Sequence, residues 1–141
     1  MPLSHAITAS ASALDAQRAR IEVAVSNIAN AESTRGADGQ PYRRRDVRLQ
    51  SEPVEPFSGA FGRAEAIGVS VTEIVEDQAP FRRRYEPSHP DADPEGFVAM
   101  PNVDVPEEMV DMLGATRAYQ ANLTAINLIR DTIQRALELG R

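Results

Sequence analysis

Proline is absent from Leu3 to Gln40 and again from Glu107 to the last residue, while the stretch from Pro41 to Pro106 holds nine of the ten prolines. A proline inside a helix removes an amide donor and clashes with the turn before it, so long helices are confined to the two ends of this chain. The expected order is helix, irregular middle, helix. With 141 residues there is room for one domain with extensions, and not for two full cores.

In the first segment Ile7, Leu14, Ile21 and Ile28 recur every seven residues, with Leu3, Ala11, Ala24 and Val25 beside them on the same stripe. Ala6, Ala9, Ala13, Ala16, Ala19 and Ala29 favour helix and let other helices approach closely. The helix is predicted to end near Asn30, before the polar stretch Glu32 to Gly36. In the last segment Met109, Met112, Thr116, Tyr119, Leu123, Ile126, Arg130, Ile133 and Leu137 follow alternating spacings of three and four. Only Arg130 breaks this seam. Val110, Leu113, Leu128 and Ile129 lie off it, so the helix is apolar on more than one side. At about 1.5 Å per residue the two helices would run roughly 40 and 50 Å, longer than a compact middle could cover. The seam residues are therefore expected at contacts between subunits.

The middle differs in kind, being net acidic where the terminal segments are close to neutral. Ile67 to Val75 partly alternates, and Phe81, Arg83 and Tyr85 alternate after Asp77-Gln78-Ala79-Pro80, a pattern that predicts a hairpin. A third strand is predicted through Asp46 to Leu49, with loops over Glu52 to Gly62 and Glu86 to Glu95. The fold class is α+β. Long terminal helices, residues 1–31 and 107–141, pair as an antiparallel coiled coil, and a small β-rich middle domain spans residues 32–106.

The charged residues narrow the function classes. Fifteen basic and 21 acidic residues give a net charge of −6, and every basic residue is Arg. That balance argues against coating nucleic acid or anionic lipid. The runs Arg43-Arg44-Arg45 and Arg82-Arg83-Arg84 sit among acids, and solvated strand faces or salt bridges between subunits are expected of them. His89, Asp91, Asp93 and Glu95 could supply metal ligands, but Pro90 and Pro94 interrupt them, and turn chemistry is the favoured reading. Cysteine is absent, no nucleophile elbow or phosphate-cradling glycine loop is present, and His5 and His89 lie far apart. No enzyme, metal or cofactor is expected. The first residues lack the basic start and apolar run of a secretory signal, and no stretch of about 18 apolar residues could span a bilayer.

Ser26-Asn27-Ile28-Ala29-Asn30-Ala31 resembles the signature of the axial proteins of the bacterial flagellum. The resemblance sharpens with Asp38-Gly39-Gln40-Pro41-Tyr42-Arg43-Arg44, Tyr85-Glu86-Pro87, His89-Pro90-Asp91-Ala92 and Gly96-Phe97-Val98. Met100 to Asp104, Glu108-Met109-Val110-Asp111 and Tyr119-Gln120-Ala121-Asn122 complete the series. In that order these strings look like the proximal-rod basal-body proteins of the C type. Ser88 departs from the family's usual glycine, and Glu52 to Ala66 matches no family pattern. The resemblance implies a structural subunit of the rod, the periplasmic drive shaft, exported by the flagellar export apparatus without signal cleavage. It implies an inner tube of paired terminal helices with a small β domain outside. Its partners would be copies of itself, other rod proteins and basal-body ring proteins, with no nucleic acid and no membrane insertion. Asn27, Asn30 and Asn122 then become interface candidates beside the seam. A cytoplasmic coiled-coil adaptor or export chaperone, holding a client through the same heptads, stays the alternative.

Overall fold

The computed structural model describes residues 2–54 and 66–140. Helix α1 spans Pro2–Ala29 and helix α2 spans Val105–Leu139, with strands β1 (Arg45–Val54), β2 (Ala66–Glu76), β3 (Arg82–Tyr85) and β4 (Phe97–Met100) between them. The fold is α+β, with both long helices where the proline map allows them. Asn30 closes α1: its backbone N–H donates to the Ser26 and Asn27 carbonyls at 3.1 and 3.2 Å, and its side-chain amide reaches the Ser26 carbonyl at 2.9 Å. An asparagine at this point satisfies carbonyls that have run out of helical partners. At the other junction the Asp104 carbonyl accepts the Glu108 N–H, and Glu107 and Glu108 put negative charge in the first turn of α2, where the helix dipole favours it.

The strands pair differently from the predicted hairpin. β2 pairs with β1, and β3 pairs antiparallel with β4 in the register Arg82 to Met100, Arg83 to Ala99, Arg84 to Val98 and Tyr85 to Phe97. The turn at Asp77 to Pro80 is taken up elsewhere. The Asp77 carboxylate accepts the Ala79 N–H, and the Asn102 side chain donates to the carbonyls of Asp77 and Ala79. Pro80 offers no donor to a ladder at this point. The predicted strand at Asp46 to Leu49 lies within β1, which continues through Glu52 to Val54, where loop was expected; the rest of that expected loop, residues 55–62, lies outside the described residues. Phe97–Met100 is a strand that the alternation did not single out.

The chain divides into two compact units, one from Met1–Ala19, Arg48–Glu73 and Gly114–Arg141, the other from Arg20–Val47 and Ile74–Leu113. In the first, Ala16 and Ala115 are its most buried apolar side chains among the described residues, and the Val69 N–H donates to the Ser12 hydroxyl at 3.0 Å. Arg48 pairs with Glu73 at 3.4 Å across β1 and β2. In the second, Val98, Met100, Val103 and Ala24 form the apolar core. Tyr85 packs edge-on against Phe97 with ring centroids 5.3 Å apart. Gly96 precedes that strand with φ +84°, and a Cβ there would lie 2.9 Å from the Tyr85 ring, so the turn needs a residue without a side chain. The expected loop from Glu86 to Glu95 is a series of tight turns, with His89 N–H donating to the Glu86 carbonyl and Ala92 N–H to the His89 carbonyl.

Candidate functional site

Two features stand out: a buried polar junction in the second unit, and apolar helix surface that is exposed among the described residues. The junction gathers around Asn27, which is 0% exposed. Its amide donates to the Arg45 carbonyl at 2.8 Å and to Glu108 Oε2 at 2.9 Å, and its oxygen accepts from the Tyr42 hydroxyl and the Arg45 N–H, both at 2.9 Å. Glu108, 2% exposed, takes Arg44 Nε on its other oxygen at 2.6 Å. Arg44 also reaches Asp111 at 3.7 Å, and its N–H donates to the Asn102 side chain at 2.8 Å. Burial pulls the Arg44 pKa down, but the hydrogen bond and charge of Glu108, helped by Asp46 and Glu107, outweigh it and the net shift is upward. The end of α1, the segment from Tyr42 to Arg45 and the start of α2 are thus tied at one point. Joining the end of one helix to the start of the other is what antiparallel pairing requires.

Asn27 was expected at a contact between subunits. In the structure it has no exposed area, and its side-chain hydrogen bonds run within its own chain. Asn30 caps α1, and Asn122 donates to the Ala118 carbonyl of its own helix at 2.9 Å, so both amides bond backbone locally. The arginine runs are likewise answered within the chain: Arg82 by Asp104 at 3.1 Å, Arg83 by Asp93 at 2.8 Å and Arg84 by Glu86 at 3.0 Å. Arg43 lies over the Phe81 ring at 4.4 Å. Among His89, Asp91, Asp93 and Glu95, His89 and Asp93 do turn chemistry, while the carboxylates of Asp91 and Glu95 meet side chains from elsewhere in the chain. Asp93 accepts the N–H groups of Phe97 and Glu95 at 2.8 and 3.0 Å, and Asp91 accepts from the Thr34 hydroxyl at 2.8 Å. The Asp93 pKa is lowered from the ordinary carboxylate value, chiefly through the Phe97 bond, which with Arg83 and the Glu95 amide outweighs the opposing effect of desolvation.

The seam of α2 is turned relative to its periodicity. Glu108, Met112, Ala115, Tyr119, Asn122, Ile126, Ile129 and Ile133 form the sheltered row, each buried or half-buried. Of the alternate members of the expected seam, Met109, Leu123, Arg130 and Leu137 are exposed and Thr116 is half-buried; Val110, Leu113 and Leu128 are exposed as well. In α1, Ile7, Leu14, Ile21 and Ile28 are half-buried, while Leu3 and Val25 face outward. Monomeric proteins rarely leave this many large apolar side chains uncovered along one helix. The sequence reading missed Glu108 and Arg44 as site residues, although one signal was present: an acid standing in the apolar row four residues before Met112.

Comparison with known proteins identifies the kind of chain that carries these features. Residues 7–37 match the family described as flagella basal body rod protein, and residues 95–139 match the flagellar basal body rod FlgEFG protein C-terminal family. The flagellar basal-body rod protein FlgC of Bacillus subtilis is 44% identical over 151 aligned residues, covering 100% of both chains. The chain belongs to the FlgC family of flagellar basal-body rod proteins. FlgC of Salmonella typhimurium is 44% identical over 141 residues with 100% of both chains covered, and FlgC of Borreliella burgdorferi is 39% identical over 149 residues, covering 99% of this chain and 98% of its own. The FlgC resemblance read from the short strings is therefore correct. Both ends of the polar junction fall in matched segments, Asn27 in the first and Glu108 in the second.

Proposed function

We propose that this chain is a structural subunit of the proximal part of the flagellar rod, which lies in the periplasm and transmits torque. The observation that carries the reading is the full-length 44% identity to basal-body rod proteins. The geometry supports it, because a rod subunit must keep apolar helix surface for its neighbours, and Met109, Val110, Leu113, Leu128 and Leu137 are such surface. In this reading residues 1–31 and 107–141 form the inner tube and residues 32–106 an outer β-rich domain. Leu3, Val25, Met109, Leu123 and Leu137 meet other subunits directly, and Ile7, Leu14, Ile21, Ile28, Met112, Tyr119, Ile126 and Ile133 seal the helices beneath them. Asn30 and Asn122 help set the helix ends and faces there.

Each large apolar side chain covered in this way contributes on the order of 1.5–3 kcal/mol, so a shaft can be held by many contacts without covalent bonds or catalysis. The partners are copies of this chain, other rod proteins, ring proteins and the export apparatus, which passes the chain without cleaving a signal. An in-frame deletion of the gene, scored by motility and by electron microscopy of isolated basal bodies, tests the reading. Rings without a completed rod, restored by the parent gene, are the expected result; intact rotating flagella would overturn it.

A further inference from the structure

Asp38 is the only aspartate or asparagine in the chain that is followed by glycine. It lies in a tight turn of the second unit. The Gly39 N–H donates to the Gly36 carbonyl at 3.0 Å, the Gly36 N–H to the Gln40 carbonyl at 2.7 Å, and further out the Tyr42 N–H to the Ser33 carbonyl at 3.0 Å. Ala37 and Asp38 keep negative φ while Gly39 stands at +78°, so a type I turn is followed by a bulge glycine in a three-residue hairpin loop. The Asp38 carboxylate accepts the Gln40 N–H at 3.1 Å. Asp38 and Gly39 are both exposed, and among the described residues no atom lies within 4 Å of where a Gly39 Cβ would stand, so water reaches this peptide bond freely.

We propose that Asp38–Gly39 is a site of spontaneous backbone isomerisation, open in the unfolded chain and shut by the closed turn. The inference goes beyond the rod-subunit reading and does not depend on it. Gly39 N attacks Asp38 Cγ: the N–C bond forms, the carboxyl C–O bond breaks, and the hydroxyl leaves as water with the amide proton. Water then opens the five-membered imide. Attack at Cγ restores aspartate, whereas attack at the backbone carbonyl carbon leaves isoaspartate, with the main chain running through Cβ and Cγ. One water leaves and one enters, so no oxidant, reductant or other reactant is needed. A glycine after the aspartate presents its nitrogen with no Cβ in the way. The closed turn keeps the reacting atoms apart. The imide ring contains Gly39 N and Asp38 C, Cα, Cβ and Cγ, so it closes only with Gly39 N on the Cβ side. A type I turn sets ψ of its second central residue to about 0°, which puts Gly39 N beside the nitrogen of Asp38 instead. The Gly39 N–H is also bonded to Gly36, and the Asp38 carboxylate to Gln40. Attack therefore waits on local opening, a step that the unfolded chain has already taken. Isoaspartate adds one carbon to the main chain where Gly36 must meet both Gly39 and Gln40, so a marked chain closes this turn less well.

The purified full chain would be held at neutral pH in water enriched in oxygen-18, once in native buffer and once in guanidinium chloride. Digestion and mass spectrometry then read residue 38. Each passage through the imide adds one heavy oxygen, and an isoaspartate-specific carboxyl methyltransferase labels the isomer. Isoaspartate at residue 38 is expected to build up about tenfold faster, or more, in the denaturant than in native buffer. Gly39→Ala should slow the denatured reaction severalfold by crowding the attacking nitrogen. A Cβ at Gly36 would meet Asp38 Oδ1 at 3.0 Å and the Gln40 carbonyl oxygen at 3.2 Å, so Gly36→Ala should loosen the turn and raise the native rate while the helical signal stays at the parent's level. Unmodified residue 38 in the denatured parent would overturn the site. Equal rates in the two buffers would overturn the gating by the fold, and this comparison decides alone if Gly36→Ala does not fold. A folded Gly36→Ala chain that reacts at the parent's native rate would overturn the turn contacts as the lock.

Discussion

Asn27 uses all of its hydrogen-bonding capacity: two donated and two accepted bonds, each between 2.8 and 2.9 Å. A buried amide in that state specifies one arrangement of its surroundings, since any other leaves polar groups without partners. Asn27→Ala should strand the Arg45 N–H and one oxygen of Glu108. A loss of about 1–3 kcal/mol is expected in denaturant titration of the purified chain. Glu108→Ala should cost more, on the order of 3–5 kcal/mol, because it leaves the Arg44 guanidinium partly buried with only the longer Asp111 contact. If both variants unfolded at the parent's midpoint, the junction would be decorative. The asparagine was legible in the sequence as part of a signature string, but its role was not, because a helix-end amide looks the same whether it faces a neighbour or its own chain. Only the fold brings Glu108, 81 residues away, to its amide. A second residue-scale effect is pH dependence at Asp93. Its folded pKa is depressed, so its contribution is present above the ordinary Asp value of about 3.9 and is lost as pH falls through the lowered folded value. The Phe97 amide should stay protected from exchange through the ordinary range and lose protection only below it; loss at or above about 3.9 would contradict the assignment.

Among the elements, the helices were the readable part and the strands were not. Proline spacing and seven-residue periodicity depend only on local sequence, and both helices fall within a few residues of the expected bounds. Strand pairing depends on which turns close, and here that is decided by the distant Asn102 side chain holding Asp77 and Ala79. Alternation in Ile67 to Val75 and Phe81 to Tyr85 was real, yet the two strands did not pair with each other: β2 took its earlier neighbour β1, and β3 its later neighbour β4. The strand pair β3 and β4 depends in turn on Gly96. Its φ of +84° and the Tyr85 ring 2.9 Å from a would-be Cβ leave no room for a side chain. Gly96→Ala should cost about 1–3 kcal/mol and should shift the Tyr85 and Phe97 ring resonances. Gly39, also at positive φ but with open space around it, should show a smaller loss from backbone strain alone. Equal losses at the two glycines would mean that the ring contact adds nothing.

At the scale of the whole molecule, fold and function pull on the same helix from opposite sides. The sheltered row of α2 that includes Ile126 serves the subunit, while Leu128, two residues on, is 67% exposed. This separation was only half legible, since heptad spacing gives the existence of an apolar stripe but the polar junction at Glu108 sets which way the stripe is turned. Ile126→Asp puts a carboxylate into the sheltered row, and both the helical signal of the free subunit and motility should fall. Leu128→Asp exposes a charge where water already reaches, so the free subunit should keep its stability within about 0.5 kcal/mol. The same variant should still stop rod completion, because in the assembled shaft that position loses its apolar cover and a carboxylate is left without a partner. Circular dichroism of the two purified variants beside motility of the two strains separates the effects. If Leu128→Asp swam normally, the outward face at that turn would be solvent surface in the assembled rod, and the lateral contacts would have to run through the Met109 and Leu137 faces alone.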